Sequence, residues 1–581
     1  MRQRAASQDR MPGAAGQDTG HGADAGPAHH RPPGPAAEST QTMSLLLPQL
    51  RPSAQALARE SGTPQPPPPV ERPGRGGRRL ALVVFALPTL LALLFVLQGL
   101  DDRQLWRDEH ATWWASSLSM HDLSRLIRSI DIVFTPYYVL MHCWVAVFGD
   151  SPTALRVPGA LAMGAAAGLL GLLGRQLFTA RVGLIAGLAF AVLPATTRYG
   201  QEIRPYAFAV AAVLLSTLLL ARSLERPTFK GWTAYTFSIP LIGWSHLASL
   251  CVLAAHLAMV ARVRREGDRI AGWAFTAAAT LGLCLVLPMA LSGTGQSGQI
   301  AWNNPTLHDL RELPQQLFGT WAVAVPVLVL GLIGLCFAGR YALPLALWAV
   351  LPPLLTFATA AQLHLFLARY LLFTAPAWVL LGAVALGRAA GAVTGPAAGT
   401  GARGLRTAGL ALGLLAVGGL TVTALPGIDA ARGPIPGEPD YRGAAHYVLA
   451  HQKHGDAIAY SGLLAERRGM DYELRDAAER PKDVLMYRTP QQIASYGAQE
   501  CPRPAACLAR TERLWLVATS PDGNPYAQMT PATVKALRAG FRIAGTKKLA
   551  SVQVLLLTRT GDNKDQKADG GDSAAGRRVH L

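Results

Sequence analysis

Two adjacent carboxyl side chains, Asp108 and Glu109, are the first residues of this sequence whose types and spacing could do chemistry. They stand in the stretch Trp-Arg-Asp-Glu-His at 106–110, and Trp113 and Trp114 follow one helical turn later. Tryptophan favours the boundary between membrane and water, so the pattern indicates an acidic cluster held at a bilayer surface. Carboxylates at such a boundary, with apolar helices behind them, are where we expect the chemistry.

Other polar and aromatic residues also fall between apolar runs and are candidates for substrate binding. They are Arg107, Tyr137, Tyr138, Glu202, Arg204, Tyr206, His246, Arg369 and Tyr370. Simpler interpretations stay open: the acidic pair could be a solvated loop, Glu202 and Arg204 a structural ion pair, and the two tyrosines at 137–138 interfacial anchors. An ionisable group near the bilayer centre costs about 2.5–3.5 kcal/mol. A cluster gathered at the boundary therefore indicates a cavity open to lipid and water, which suits a substrate with a lipid tail and a charged head.

The composition indicates a polytopic membrane protein. Of 581 residues, 50% are hydrophobic and only 15% are charged, and the mean hydropathy is +0.23. Apolar runs of about 18 residues or more recur along the chain, which is the length that a transmembrane helix needs. The formal charge of +18 could suggest nucleic acid, but Lys and Arg concentrate between the apolar runs. That placement follows the positive-inside rule, so we expect membrane lipid as a partner and no nucleic acid.

The basic loops predict which face of the membrane each connection occupies. Arginines between 72 and 79 precede the first apolar run at 80–97, so the N-terminus is expected in the cytoplasm and Asp108 outside. The alternation of apolar runs and basic loops then predicts about eleven spans, the last at 405–425, and an extracytoplasmic C-terminus. The predicted fold is a mainly α transmembrane bundle with a small α/β domain after it.

One short apolar segment decides whether the candidate residues share a face. The run at 136–148 has only about a dozen apolar residues, short for a span. We interpret it as an interfacial helix, preceded by an amphipathic surface stretch at about 113–128. If 136–148 crossed the membrane, Glu202 and Arg204 would lie on the opposite face from Asp108.

Composition divides the chain into four predicted parts. They are a disordered cytoplasmic tail at 1–78, a transmembrane catalytic domain at 79–425 with its first outer loop at 98–153, an extracytoplasmic α/β domain at 426–560 and a disordered tail at 561–581. Within the third part, we predict helices at 441–451 and 531–539 and strands at 456–460, 513–519 and 552–558. Cys501 and Cys507 could form a disulfide there if that part lies outside the cell.

The sequence has no phosphate-binding loop, zinc-protease motif, serine-hydrolase elbow or paired Cys-x-x-Cys motif. Carboxylates could hold a divalent cation, but nothing in the sequence demands one. The cofactor is therefore left unknown.

The order of short motifs resembles that of the GT-C glycosyltransferases, and more narrowly the bacterial protein-mannosyltransferase-like group, family 39 and its aminoarabinose-transferase relatives. The motifs are Trp-Arg-Asp-Glu at 106–109, Thr-Pro-Tyr-Tyr at 135–138, Gly-Arg-Gln-Leu-Phe at 174–178, Tyr-Gly-Gln-Glu-Ile-Arg-Pro-Tyr at 199–206, Ser-His at 245–246 and Ala-Arg-Tyr-Leu at 368–371. The resemblance covers about residues 80–390. One departure is Thr135, where family members often have His, so any role of that His is absent here.

The resemblance implies transfer of a sugar from a polyprenyl-phosphate donor to a protein, lipid or glycan acceptor outside the cytoplasm. Asp108 matches the family's outer-loop acid and would be the general base, with Glu109 orienting it, binding the acceptor or helping to hold a metal. Arg204 and Arg369 would bind the phosphate, and Glu202 would position Arg204 or a sugar hydroxyl. One base opposite the leaving group implies inversion at the anomeric carbon. Mannose is the family-weighted sugar.

Two other classes of function use the same features. A transporter or flippase of lipid-linked sugars would also line a cavity with basic groups, but such proteins usually carry repeated halves, which we do not find in this sequence. A membrane-anchored sensor could bind ligand in the C-terminal domain, but about eleven spans are excessive for an anchor.

Overall fold

The computed structural model describes residues 75–392, 402–462, 464–519 and 523–561. The disordered tails predicted at 1–78 and 561–581 therefore lie almost wholly outside the described residues. Where the first prediction overlaps them it is wrong, because residues 75–78 already belong to the first helix. A basic flank can continue an apolar helix past the hydrocarbon, since long cationic side chains reach water while their stems stay on apolar surface.

Helices dominate the chain up to residue 432. They are α1 (Arg75–Leu97), α2 (Arg107–Ser117), α3 (Met120–Ser129), α4 (Thr135–Phe148), α5 (Pro152–Leu177), α6 (Ala180–Ala191), α7 (Pro194–Gly200), α8 (Tyr206–Glu225), α9 (Phe229–Ser245), α10 (Leu253–Arg265), α11 (Arg269–Thr294), α12 (Leu307–Phe318), α13 (Trp321–Phe337), α14 (Ala342–Ala358), α15 (Ala360–Leu363), α16 (Ala368–Leu371), α17 (Ala375–Ala392) and α18 (Ala402–Arg432). Short 3-10 turns join several of them, among them Ile132–Phe134 before α4 and Leu247–Val252 before α10.

Eight helices of the described part are long and apolar enough to cross a membrane, and ten if each of two bent pairs forms one span. The bends are 63° between α6 and α7 and 92° between α12 and α13. The fold is thus the predicted polytopic helical bundle. The count of eleven stays a prediction, since the one predicted span that is not among these ten corresponds to α9, which has only 17 residues.

Helix α4 is the short apolar segment on which the shared face depends. Its 14 residues extend roughly 21 Å at 1.5 Å per residue, whereas the hydrocarbon core is about 30 Å thick. The structure places Arg204 beside Asp108, on one face of the bundle, as an interfacial α4 requires.

The amphipathic stretch expected on the surface at 113–128 is instead two helices, and the first is buried. Trp113 and Trp114 on α2 lie in a hydrophobic cluster with Tyr472 and Tyr496 from the C-terminal part of the chain. The Trp113 ring meets that of Tyr472 edge-on, with centroids 4.9 Å apart. These tryptophans are therefore core residues and not membrane anchors, because a neighbouring layer of protein covers them.

Small residues bring the helices of the bundle close together. A Cβ added at Gly164, Gly168 or Gly171 of α5 would meet side-chain or backbone atoms of α1 within 3 Å. Because lipid tails are as apolar as leucine, helices in a membrane gain contact chiefly by such close approach of their backbones. The Ala- and Gly-rich sequence of α5 is thus explained by its central position between α1, α6 and α8.

The residues after α18, here called the C-terminal region (433–561), form a small α/β structure. Its elements are α19 (Tyr441–His451), β1 (Ala457–Tyr460), α20 (Ala465–Glu473), β2 (Lys482–Asp483), β3 (Met486–Arg488), α21 (Pro490–Ile493), β4 (Gln499–Glu500), α22 (Pro504–Cys507), β5 (Arg513–Ala518), α23 (Pro531–Gly540), β6 (Phe541–Leu549) and β7 (Val552–Arg559). Five strands form one sheet in the order β2-β1-β5-β7-β6. Strand β1 pairs in parallel with β2 and β5, and β7 pairs antiparallel with β5 and β6.

The predicted elements of this region are present, and seven further elements were missed, of which β6 and α20 are the longest. Helices α19 and α23 and strands β1, β5 and β7 lie within one residue of their predicted bounds. Strand β6 was missed because eight of its nine residues are not buried and it carries Gly545, which weakens a strand pattern. Helix α20 escaped because most of its residues are polar or charged although buried. Cys501 and Cys507 form the disulfide that the sequence allowed.

A glycine-to-alanine pair tests the close packing of the bundle. A methyl group at Gly334 of α13 would collide with the carbonyl oxygen of Leu381 in α17, whereas one at Gly418 of α18 would meet nothing within 4 Å. We expect Gly334→Ala to lower the melting temperature of the detergent-solubilised protein, since overpacking costs typically about 1–3 kcal/mol. Gly418→Ala, the matched control, should leave it unchanged. Equal melting temperatures for the two variants would contradict the α13–α17 contact.

Candidate functional site

Asp108 lies in the first turn of α2, between two arginines that come from distant parts of the chain. Its Oδ2 is 3.9 Å from Nη2 of Arg204, in the turn before α8, and 3.7 Å from Nη2 of Arg369, in α16. The Asp108 side chain is 24% exposed, so this carboxylate remains accessible. The structure thus brings together the three residues to which the family resemblance assigned the central roles.

Aromatic rings hold both guanidinium groups in place. The Arg204 guanidinium lies 4.4 Å from the centroid of Phe134, and Arg369 lies 5.7 Å from that of Trp106 and 5.5 Å from that of Tyr370. Arg204 donates one hydrogen bond, from Nη1 to the hydroxyl of Thr112 at 3.3 Å. The Nε atoms of both arginines are buried without a hydrogen-bond partner among the described residues. Ring stacking fixes the arginines without using their N–H groups, which remain available to a ligand.

An aromatic cluster lies next to this site. The rings of His246 and Tyr370 have centroids 4.4 Å apart, and Tyr206 lies about equally far from both, at 6.0 and 5.9 Å. The hydroxyls of Tyr206 and Tyr137 and Nδ1 of His246 are buried and have no partner among the described residues. A buried polar atom without a partner costs free energy, so several together indicate groups that a ligand satisfies.

Glu202 is buried next to the same cluster, but its ion-pair partner is not Arg204, the residue considered from the sequence. Its Oε1 lies 3.0 Å from Nη2 of Arg198, one helical turn earlier, and its Oε2 is unpartnered within the described residues. Burial raises the pKa of the Glu202 carboxyl, and the positive charge of Arg198 only partly opposes this. The structural ion pair of Glu202 with Arg204 does not form, because Arg204 faces Asp108 instead.

Glu109 lies in a different place from its neighbour. It is fully buried, and Arg156 of α5 donates to both of its oxygens, from Nη2 at 2.7 Å and Nε at 3.1 Å. The backbone N–H groups of Trp106 and Ile203 also donate to it, at 3.2 and 3.1 Å. Burial alone would raise the pKa of Glu109, but the charges of Arg156 and Arg103 outweigh it and lower the pKa to about 2. All its acceptor positions are thus occupied by protein, so the geometry gives Glu109 a positioning role.

Arg156 and Arg103 are the functional residues that sequence reasoning missed. Arg156 is buried inside the apolar run that forms α5 and donates from Nη1 to the carbonyls of Leu100 and Arg103, at 2.6 and 2.9 Å. Arg103 donates to the carbonyl of Gln201 at 3.3 Å. The available signal was an arginine within an apolar run, since such a residue needs a carboxylate or carbonyl partner.

Two further candidates lie away from the cluster of Asp108, Arg204 and Arg369. The hydroxyl of Tyr138 is bound at 2.9 Å to the Asp131 carboxylate and at 2.8 Å to the hydroxyl of Tyr496, so it connects α4 to the C-terminal region. Arg107 is 62% exposed and pairs with Glu438 at 2.9 Å. It lines a separate cavity of about 860 Å³ against the C-terminal region. Neither placement was visible in the sequence, because both depend on how the C-terminal region covers α2 and α4.

Within the described residues, no group of three or more His, Cys, Asp or Glu side chains could hold a metal ion. The acidic residues near the site are instead divided among arginine partners: Asp108 faces Arg204 and Arg369, and Glu109 faces Arg156.

Comparison with known proteins agrees with this fold. Residues 134–291 match the family model described as dolichyl-phosphate-mannose-protein mannosyltransferase. The structure of ArnT from Cupriavidus metallidurans in the apo state is similar over 81% of this chain and 97% of that chain, with a TM-score of 0.54 and 13% identity. The structure of the same protein bound to undecaprenyl phosphate is similar over 82% of this chain and 98% of that chain, with a TM-score of 0.53 and 14% identity.

A more distant similarity is to the Archaeoglobus fulgidus oligosaccharyltransferase tethered to an acceptor peptide, at 11% identity over 80% of this chain and 72% of that chain, with a TM-score of 0.43. Among curated proteins, none matches the sequence. The family match covers residues 134–291, and the similarity to ArnT shows that this chain shares that protein's fold. The matched segment contains Glu202, Arg204 and His246, while Asp108 and Arg369 lie outside it.

Replacing Glu109 tests its positioning role. Glu109→Gln leaves the shape nearly unchanged but removes the charge that compensates buried Arg156, and breaking such a pair costs about 3–5 kcal/mol. We expect a large drop in melting temperature, measured by thermal unfolding of the purified protein. Asp108→Asn, whose carboxylate is partly exposed and only loosely paired, is the matched control and should unfold near the wild-type temperature.

The same pair predicts a pH dependence of stability. Because the folded-state pKa of Glu109 lies near 2, below its ordinary value of 4.5, its contribution is complete above about pH 4.5 and is lost as the pH falls toward 2. Glu109→Gln should lack this component of acid destabilisation. Identical acid profiles for Glu109→Gln and the wild type would contradict the assignment.

Proposed function

We propose that this chain transfers a sugar from a polyprenyl-phosphate donor to a hydroxyl of an acceptor on the extracytoplasmic face of the membrane. The observation that carries the proposal is a partly exposed carboxylate, Asp108, with two aromatic-supported guanidinium groups less than 4 Å from one of its oxygens. Such a cluster combines a base for an attacking hydroxyl with cations for a departing phosphate. The undecaprenyl phosphate bound to ArnT, a protein of similar fold, supports the donor class.

The donor phosphate would bind to Arg204 and Arg369. The 3.7 and 3.9 Å separations from Asp108 exceed the roughly 2.7–2.9 Å of a tight charge-assisted hydrogen bond. Phosphate oxygens can therefore replace Asp108 as the closer partner, and the planar guanidinium matches them. Donor binding would release the Asp108 carboxylate to act on the acceptor.

The leaving group makes one base sufficient. A phosphate monoester has a second pKa near 6, so polyprenyl phosphate departs without a proton donor at neutral pH. Asp108 accepts the proton of the acceptor hydroxyl as its oxygen bonds to the anomeric carbon and the sugar–phosphate bond breaks. Attack from the face opposite the leaving group gives inversion. Glu202, with one unpartnered oxygen, and His246 and Tyr206 are placed to contact sugar hydroxyls.

The distribution of basic residues supports an extracytoplasmic location of the site. The ends of α8 and α10 opposite the site carry Arg222 and a cluster at 262–265. Basic loops favour the cytoplasm, so Asp108 and the C-terminal region would face outward. Mannose is the first sugar to test, because the description of the matched family model names it; arabinose and galactose come next.

Asp108→Asn tests the general base. We expect transfer of radiolabelled sugar from polyprenyl-phosphate sugar to membrane acceptors to fall by about 10²–10⁴-fold, the range for loss of a general base. Asp101→Asn, which changes an exposed carboxylate just outside the site, is the control. Release of free polyprenyl phosphate is measured in parallel, because a transporter would not produce it. Transfer by Asp108→Asn at the wild-type rate, at equal protein level, would remove Asp108 as the base.

Arg369→Ala tests the phosphate-binding role. A hydrogen bond to a charged group contributes about 1.5–3 kcal/mol, so the donor concentration for half-maximal rate should rise about tenfold or more. Arg340→Ala, at the other end of α14, removes the same charge away from the site. Unchanged donor saturation in Arg369→Ala would count against phosphate binding by this residue.

A further inference from the structure

Arg468 on α20 is a buried arginine whose charge has no hydrogen-bonded or ion-paired partner among the described residues. Its residue surface is only 9% exposed, and both Nε and Nη1 are buried without a hydrogen bond. The guanidinium lies 4.7 Å from the centroid of the Tyr496 ring. Its neighbour Arg467, equally buried, pairs with Asp483 at 2.7 Å and with Glu500 at 2.5 Å. The fold therefore supplies carboxylates to one arginine of this helix and leaves the other unpaired.

The groups around Arg468 are already bound to one another. Tyr496 donates to the carboxylate of Asp131 at 2.8 Å, and Tyr138 donates to the same oxygen at 2.9 Å. Burial lowers the pKa of the Arg468 guanidinium, and Tyr496, Tyr138, Asp108 and Asp131 act against this without reversing it. Asp108 is thus within electrostatic reach of Arg468, and the Asp131 carboxylate is held by two phenols.

His110, on α2, gives Arg468 no countercharge. Both of its ring nitrogens are buried without partners among the described residues. Burial lowers the pKa of His110 to about 3, and the charge of Arg468 acts in the same direction. The imidazole is therefore neutral at physiological pH and adds no second positive charge beside Arg468.

Asp108 therefore lies near cations from two parts of the chain. Arg204 and Arg369 of the helical bundle lie within 4 Å of its Oδ2. Arg468 of the C-terminal region lies over Tyr496, whose ring packs against Trp114 on the same helix as Asp108, with centroids 5.6 Å apart. Tyr138, which is hydrogen-bonded to Tyr496, stacks at 5.8 Å on Phe134, the ring over which Arg204 lies. The single phosphate of the donor would bind Arg204 and Arg369, so Arg468 remains available to a second anion.

We propose that Arg468 binds an anionic group of the acceptor, a phosphate or a carboxylate, and thereby presents a neighbouring hydroxyl to Asp108. The proposal rests on the proposed function, in which Asp108 is the base and the donor phosphate lies on Arg204 and Arg369. A guanidinium fork matches the oxygens of either anion. The C-terminal region would then select acidic acceptors, because its helix α20 supplies this residue.

A kinetic test distinguishes an effect of Arg468 on acceptor use from an effect on donor use. Full-length protein in lipid nanodiscs is given radiolabelled polyprenyl-phosphate sugar and a membrane extract from a strain that lacks the protein, and each is varied separately. We expect Arg468→Gln to raise the extract concentration for half-maximal rate at least tenfold and to leave donor saturation within twofold of wild type, with partial rescue by Arg468→Lys. Arg480→Gln is the matched control, since it removes the same charge from an exposed site after α20. An equal effect of Arg468→Gln on donor saturation, or none on either, would overturn the proposal.

A binding test does not depend on turnover. In the background Arg204→Gln/Arg369→Gln, which removes the cations for the donor, inorganic phosphate or acetate should raise the melting temperature of the protein by at least about 2 °C. Adding Arg468→Gln should abolish that rise, and adding Arg480→Gln should not. A rise with phosphate indicates a phosphorylated acceptor, and one with acetate alone indicates a carboxylate.

The two tests also separate the proposals from each other. No rise with either anion, or a rise that survives Arg468→Gln, would overturn the anion site whatever the enzyme does. Wild-type protein that transfers no sugar would overturn the proposed function, while the melting measurement would still decide whether Arg468 binds an anion.

Discussion

The buried ion pair of Glu109 and Arg156 is the interaction on which the site depends. Removing both charges from water is costly, and the cost is offset only because every oxygen and nearly every N–H finds a partner. Arg156 binds the carbonyls of Leu100 and Arg103, and Glu109 binds the N–H groups of Trp106 and Ile203. One pair thus joins the first loop, α2, α5 and the turn before α8. Asp108 and Arg204 occupy the positions next to these joined residues, so their separation is set by the pair.

A second constraint is that the C-terminal region packs over the first loop, at 98–153. Tyr472 and Tyr496 pack on Trp113 and Trp114, and Asp131 accepts from the phenol of Tyr496. These contacts bury α2 and exclude water around it, which strengthens each electrostatic interaction there. In the proposed site, Arg204 and Arg369 come from the membrane bundle and Arg468 comes from the C-terminal region.

Much of the site followed from topology. The length of the apolar runs and the positions of the basic loops predicted that Asp108, Arg204 and Arg369 share one face, and the structure brings both arginines within 4 Å of Asp108. The sequence was less informative about burial. Tryptophans near a membrane were interpreted as anchors, although a protein layer covers them. Tyr138 was a candidate for substrate binding or for an interfacial anchor, and its hydroxyl is bound to Asp131 and Tyr496. Apolarity predicts that a side chain avoids water but not whether lipid or protein covers it.

The sequence by itself determined the class of fold, the helices, the sheet elements at 457–460, 513–518 and 552–559, and the set of charged residues at one face of the membrane. Tertiary structure decided which of two adjacent acids is available for chemistry. Successive residues of a helix point about 100° apart, so Asp108 and Glu109 could not share one environment. Glu109 faces the buried guanidinium of Arg156 and is neutralised there, and Asp108 is left partly exposed beside Arg204 and Arg369. This difference is caused by Arg156, which lies 47 positions from Glu109 in the sequence. No local sequence pattern therefore predicts it.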